Sequence, residues 1–174
     1  MTVNFRIWIA GRGGQGVSFV GKLLSRCVYL ENQNVLVRSD QDWAIRGGLV
    51  QTTVLVDEKP LSAGALNDFN WALLLHPEAR AFLPPLAQDA VFLDAYKLEL
   101  YKLSQSIGFQ QGLNIALLGY FLACSNLCQP ELVARQLKDL LGKEHVAVLP
   151  YNLELLEQGL EWGARHRSNH AGYS

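Results

Sequence analysis

Phe5-Arg6-Ile7-Trp8-Ile9-Ala10-Gly11-Arg12-Gly13-Gly14-Gln15-Gly16-Val17 is the stretch whose reading decides the fold. Residues 5–10 are a short run of apolar, β-branched and aromatic side chains stopped by glycine, which reads as a buried strand. From residue 17 the periodicity changes. Val17, Val20, Leu23, Leu24 and Val28 recur at helical spacing, so a helix is expected to run to about residue 32, where Glu31-Asn32-Gln33-Asn34 breaks it. Val35-Leu36-Val37 then reads as a second strand. Strand, glycine turn, helix and strand in this order make a βαβ unit. The expected fold is therefore Rossmann-like α/β, three-layered α/β/α, with a mostly parallel sheet.

The remainder of the chain extends that pattern. Residues 39–48 read as an irregular polar loop, and residues 49–56 as a strand. A strand so soon after the second is expected to join the sheet as a hairpin or antiparallel addition. Residues 71–75 and 90–93 read as further buried strands. Between them, His76-Pro77 places proline in the first turn of a short helix ended by Pro84-Pro85. Residues 114–127 are apolar nearly all round, which marks a helix covered on most sides. Helices are expected at 131–141, closed by Gly142, and at 151–164, with residues 146–149 as a last short extended segment. Residues 1–164 form one domain, and 165–174 read as a frayed tail.

Composition excludes several classes. The chain has 174 residues, 49% hydrophobic and 18% charged, with net charge −1 and a pI near 6.4. Nucleic acid as the main partner is disfavoured, because such domains carry a basic excess. The most apolar run, residues 115–124, is far short of the roughly 20 residues that span a membrane. No secretory leader is legible at the N-terminus, so the chain is expected to be soluble and cytoplasmic. Cys27, Cys124 and Cys128 lack Cys-x-x-Cys spacing and read as small core residues, the latter two sharing one helix face.

Gly11, Gly13 and Gly16 fit the spacing G-x-G-x-x-G in the right context, after a strand and before a helix. Such a turn permits close backbone approach, and the free N–H groups of the helix start favour an anion. Arg12, Gly14 and Gln15 complete the candidate phosphate-binding turn. A dinucleotide reading also wants an acidic residue at the end of the second strand. Arg38-Ser39-Asp40 gives a mixed signal there, with Arg38 and Ser39 suited to a 2′-phosphate and Asp40 to a ribose. No catalytic set of His, Tyr-Lys or Cys stands out, and His76, His145, His166 and His170 read as structural or solvated. Trp43, a large aromatic in a polar loop, either folds back or inserts into a neighbour.

Further features recur with the glycine turn: Arg46-Gly47-Gly48 before the third strand, Asn114-Ile115-Ala116-Leu117-Leu118-Gly119, and Asn152 with Gly159. In this order and spacing, over residues 5–163, the chain resembles the γ subunit of the 2-oxoacid:ferredoxin oxidoreductases that act on pyruvate, ketoisovalerate, 2-oxoglutarate or indolepyruvate. The resemblance implies a subunit inactive alone within a complex of the EC 1.2.7 class. Such a complex decarboxylates a 2-oxoacid, joins the acyl group to coenzyme A and reduces ferredoxin or a related acceptor. It implies thiamine diphosphate and 4Fe-4S clusters in partner subunits and no cofactor assigned to this chain, though coenzyme A contact is expected. The candidate binding residues are Gly11, Arg12, Gly13, Gly14, Gln15, Gly16, Arg46, Gly47 and Gly48, with Arg46 offering a planar fork to a carboxylate or phosphate. Asn114 and Asn152 read as helix N-caps. The sequence departs from the family where Asp42-Trp43-Ala44-Ile45 precedes the arginine and where Thr53-Val54-Leu55-Val56 carries none. Two other readings stay open: an independent NADP- or flavin-binding oxidoreductase, and an assembly module without a ligand.

Overall fold

In the computed structural model, residues 4–45, 48–61 and 68–166 are described, with the backbone alone for 40–45. The strands are β1 (Asn4–Arg12), β2 (Asn34–Ile45), β3 (Leu49–Asp57), β4 (Phe69–Leu74) and β5 (Leu86–Asp94). The helices are α1 (Val17–Leu30), α2 (Leu100–Ser106), α3 (Leu113–Ser125), α4 (Pro130–Leu141) and α5 (Leu149–His166), with 3-10 turns at Pro77–Phe82, Gln110–Gly112 and Val146–Val148.

The strands form one sheet in the order β2-β3-β1-β4-β5. β1, β4 and β5 are parallel neighbours, whereas β3 runs antiparallel to both β1 and β2. The sheet is thus mixed, with β1, β2, β4 and β5 running one way and β3 against them. The cause lies in the connection between β2 and β3, which is too short for a crossover and leaves only a hairpin. β3 also inserts between β1 and β2, so the two strands of the expected βαβ unit are not adjacent. β2 is much longer than its apolar core, residues 35–37, suggests. It runs to Ile45 with an irregular register between Asp40 and Ile45. As an edge strand it pairs on one side only, which lets the polar run at 39–42 remain extended without an alternating pattern.

All five helices pack on one face. There Ile7, Ile9, Val54, Val56, Leu73 and Leu93 meet the apolar sides of α1 and α3. Trp8, Ala10, Leu55, Ala72 and Leu74 point the other way, toward Ala79 of the 3-10 turn and the partly buried Leu61, Leu83 and Leu86. Among the described residues the second outer layer is therefore this turn and its flanks rather than helices. α3 is buried throughout residues 113–122, as its uniformly apolar sequence requires. Trp71 of β4 packs edge-on against Phe121 of α3, at 4.9 Å between centroids. Each fully covered leucine in this layer contributes roughly 1.5–3 kcal/mol relative to exposure.

The outer side of α3 is covered by α5 at very close range. A Cβ on Gly159 would strike the Ala116 carbonyl oxygen, and one on Gly119 would strike that of Leu156. Gly163 likewise faces the Tyr120 carbonyl oxygen, 2.8 Å from where its Cβ would lie. Gly119 and Gly159 thus let two helix backbones touch. Residues 146–149 are not extended but form a 3-10 turn running into α5, and α5 continues to His166. Residues 165 and 166 are accordingly helical, while the rest of the expected tail lies outside the described residues.

Candidate functional site

β1 carries Gly11 and Arg12 as its last residues, so the turn proper comprises residues 13–16. Gly11 has no room for a side chain, because a Cβ would sit 2.7 Å from Gln15 Oε1 and 2.9 Å from Leu75 Cβ. Gln15 is a staple. Its Oε1 accepts from the Arg12 N–H at 2.7 Å, and its Nε2 donates to the Leu75 carbonyl at 3.1 Å. It ties the end of β1 to the end of β4 and leaves its amide engaged in the fold.

Gly14 and Gly16 adopt φ of +85° and +73°, the left-handed region where glycine is favoured. Gly16 is the N-cap of α1, with no side-chain cap and no acidic residue in the first turn. The first N–H groups of the helix have no intrahelical acceptor and stand at the positive end of the helix dipole. Beside them lies a cleft of about 440 Å³ lined by Arg12, Gly14, Gly16, Ser18, Phe19 and Val50.

Two of the motifs meet here. The Gly13 N–H donates to the Gly48 carbonyl at 2.8 Å, and Gly48 itself has φ +72°. Arg46 and Gly47 lie outside the described residues, as does the Trp43 side chain. Asn114 also reaches the turn, because a Cβ on Gly16 would collide with its Nδ2. It is not an N-cap. Gly112 holds that position, and Asn114 is the second residue of α3, its Oδ1 accepting from the Ile115 N–H at 3.0 Å. Asn152 is not a cap either, for it lies inside α5 and donates to the Val148 carbonyl at 2.8 Å.

Arg12 is half exposed and engaged. Its Nη2 lies 2.8 Å from both carboxylate oxygens of Glu78, in the 3-10 turn after β4. The Arg12 hydrogen bonds hold the Glu78 carboxyl below its ordinary range. Glu78 gave no signal in the sequence, since only the fold brings it across to the glycine turn. Its neighbour His76 caps the same turn, Nδ1 accepting from the Glu78 N–H at 3.3 Å.

The dinucleotide geometry does not form. Arg38 and Ser39 lie in the middle of β2, not at its end, and β3 separates β2 from β1. Ser39 Oγ is instead paired with Thr52 Oγ1 at 3.0 Å. The cysteines also differ from expectation. α3 ends at Ser125, so Cys124 and Cys128 do not share a helix. Cys128 is hydrogen-bonded to Cys27 of α1 within the core, which lowers the Cys27 thiol pKa, while that bond and burial push the Cys128 thiol up. Among the described residues no group of three or more His, Cys, Asp or Glu is placed to hold a metal ion, and no helix is long and apolar enough to cross a membrane.

The profile of the pyruvate ferredoxin/flavodoxin oxidoreductase family matches residues 6–162. The chain belongs to that family. The match runs through the glycine turn, Gly48, Asn114 and the α3–α5 contact, so the motifs that converge in space are also within the family region. A curated relative, the 2-oxoglutarate synthase subunit KorC of Archaeoglobus fulgidus, is 30% identical over 108 residues. That alignment covers 62% of this chain and 56% of the relative. The fold matches the 2-oxoglutarate:ferredoxin oxidoreductase of Magnetococcus marinus, solved with 2-oxoglutarate, coenzyme A and succinyl-CoA bound, at a TM-score of 0.79 and 17% identity. The match takes in 93% of this chain but only 31% of that one. It also matches the keto/oxoacid ferredoxin oxidoreductase γ subunit of Geobacter sulfurreducens, at a TM-score of 0.68 and 16% identity, over 92% of this chain and 99% of that one. The chain therefore spans about half the curated relative, about a third of the Magnetococcus chain and nearly all of the Geobacter subunit.

Proposed function

We propose that this chain is the γ-type subunit of a 2-oxoacid:acceptor oxidoreductase, inactive alone, that supports assembly and presents an anion-binding corner to coenzyme A. The observation that carries the reading is the family match across residues 6–162, which takes in nearly all of β1 through α5. The composition of the site agrees with a supporting role. Its residues offer glycines, backbone donors and two arginines, Arg12 and Arg46, which are groups that bind an anion.

The corner suits a phosphate group. Gly14 leaves the backbone uncovered beside a cleft of about 440 Å³, and the start of α1 brings the positive end of its dipole to it. Arg12 lines the same cleft, held by Glu78 in a position from which it reaches an incoming anion. Arg46 and Gly47 belong to the same proposed corner by their connection to Gly48. Thiamine diphosphate and the 4Fe-4S clusters are assigned to partner subunits. A 4Fe-4S cluster takes four thiolates, and this chain has three cysteines, of which Cys27 and Cys128 are buried against each other. Ferredoxin or a related acceptor is reached through the assembled complex, in the cytoplasm.

The test is recovery of the tagged chain from its native source under anaerobic conditions, with the bound proteins identified and analysed for iron and thiamine diphosphate. Stoichiometric larger subunits carrying both groups are expected. A chain always recovered alone, and binding NADP tightly, would refute the proposal. Arg46→Ala is expected to lower turnover of the complex without loss of subunit stability, and unchanged turnover returns Arg46 to a surface role.

A further inference from the structure

Asn114 is a buried polar residue of which the fold uses only half. Its side chain is 7% exposed. Its Oδ1 accepts from the Ile115 N–H at 3.0 Å, whereas its Nδ2 makes no hydrogen bond among the described residues. The Ile115 bond also fixes which way the amide faces. Turned over, it would set Nδ2 against the Ile115 N–H, donor against donor. Nδ2 therefore stays on the side of the glycine turn, where a Cβ on Gly16 would lie against it. The amide oxygens of Gln33 and Gln136 are sealed without a partner, but Nδ2 of Asn114 is not enclosed in that way.

Gly16 is the N-cap of α1, so this donor stands at the positive end of a 14-residue helix. The chemistry is the reverse of a cap. A capping side chain brings an oxygen to the free N–H groups, whereas Asn114 brings a further N–H. No side chain caps α1 and no acidic residue occupies its first turn. Gly16 also lines the cleft that holds Arg12, whose Nη2 alone is taken up by Glu78. A buried amide without an acceptor forfeits the hydrogen bond it made to water, so a native chain seldom leaves one unexplained. Donors thus converge at Gly16 from α1, α3 and Arg12, and the group that would complete them is an oxyanion.

We propose that Asn114 is a ligand-contacting residue of the anion corner, its Nδ2 donating to a phosphate oxygen of coenzyme A seated over the start of α1. The inference rests on the reading of that corner as the coenzyme A site and adds a residue that α3 contributes to it. A phosphate group presents acceptors in several directions at once, which suits donors arriving from separate elements. An amide is a neutral donor, so it recognises an oxygen at contact and lacks the long-range pull of a guanidinium. Glycine at position 16 keeps Nδ2 uncovered, which gives that residue a second role beside its left-handed backbone.

The test uses the reconstituted complex and compares wild type with Asn114→Asp, Asn114→Leu and Arg46→Ala. Coenzyme A binding is measured by isothermal titration without 2-oxoacid, turnover as kcat and KM for both substrates, and the melting temperature of each free chain by calorimetry. Asn114→Asp keeps the acceptor for Ile115 and replaces the donor by a second carboxylate oxygen. It is expected to leave the free chain at least as stable, because the charge lies at a positive helix end. At the same time it weakens coenzyme A binding by more than about tenfold, with the KM for the 2-oxoacid unchanged. An asparagine with a purely structural role does not give that pairing. Asn114→Leu is expected to weaken coenzyme A binding by about tenfold at low and high salt alike, whereas the Arg46→Ala loss shrinks as salt rises. If Arg46→Ala weakens binding and both Asn114 variants bind as wild type does, the corner stands and Asn114 is no part of it. If all three bind as wild type does, both readings fall. A raised KM for the 2-oxoacid with coenzyme A binding unchanged would assign the amide to the substrate carboxylate and overturn the proposal.

Discussion

Gly14 and Gly16 both have left-handed backbones, but only one of them is crowded, and replacing each with alanine separates strain from overlap. A left-handed conformation costs an L-residue roughly 1–2 kcal/mol. Around Gly14 nothing lies within 4 Å of an added Cβ, so Gly14→Ala is expected to cost that strain alone. At Gly16 the same Cβ falls on the amide of Asn114, a side chain only 7% exposed and without freedom to swing aside. Overpacking of this kind adds typically 1–3 kcal/mol, so Gly16→Ala is expected to cost about 2–5 kcal/mol. For a chain of this size 1 kcal/mol corresponds to a fall in Tm of roughly 2–4 °C. The decisive variant is the double one. With Asn114→Ala only the Asn114 Cβ remains near the new methyl group, at 3.9 Å, an ordinary contact. Urea unfolding of the wild type, both single variants and the double variant is expected to give a favourable coupling of about 1–3 kcal/mol between residues 16 and 114. Additivity within about 0.5 kcal/mol would refute the claim that α3 closes directly onto the glycine turn.

Gly159→Ala is expected to destabilise by about 1–3 kcal/mol, although alanine gains about 1 kcal/mol in helix propensity; a more stable variant in urea unfolding would mean that α3 and α5 do not touch through backbone. The Arg12–Glu78 pair has a defined pH signature. Glu78 is held below its ordinary value of 4.5, so its contribution is present above that pH and fades as pH falls through the lowered value. The Tm difference between wild type and Glu78→Gln is therefore expected to be constant from pH 6 to 8 and to shrink below about pH 4.5, while a difference that grows on acidification would contradict the pairing. Being solvent-exposed, the pair is also expected to weaken with added salt. With Ellman's reagent, Cys124 is expected to react first and the buried Cys27 and Cys128 only on unfolding; rapid labelling of all three in the native chain would rule out the α1–α4 packing.

The fold was legible wherever one face of an element is buried. β1 alternates between the two sides of the sheet, and α1 shows its apolar stripe, so both stand close to where their periodicity puts them. Uniform burial made α3 equally clear. What the sequence concealed depends on non-local placement. The antiparallel sense of β3 follows from the short connection, but its insertion between β1 and β2 does not, because no local pattern specifies which strand lies beside β1. That insertion is what removes Arg38 and Ser39 from the glycine turn and with them the dinucleotide reading. The polar residues of β2 read as loop because edge pairing makes no demand for alternation. Asn114 and Asn152 had the composition of caps, yet tertiary packing placed each inside its helix. The glycine turn was recognisable from its spacing together with the strand before it and the helix after it, whereas its Glu78 partner, 66 positions from Arg12, could be found only in the folded chain.

Omission from the reconstituted complex tests the central claim most directly. The larger subunits, loaded with their cofactors, are supplied with a 2-oxoacid and coenzyme A, and ferredoxin reduction is followed with and without this chain. For a γ-type subunit, turnover is expected only when the chain is present, and the chain alone is expected to reduce nothing. Full turnover in its absence would contradict membership of the working complex.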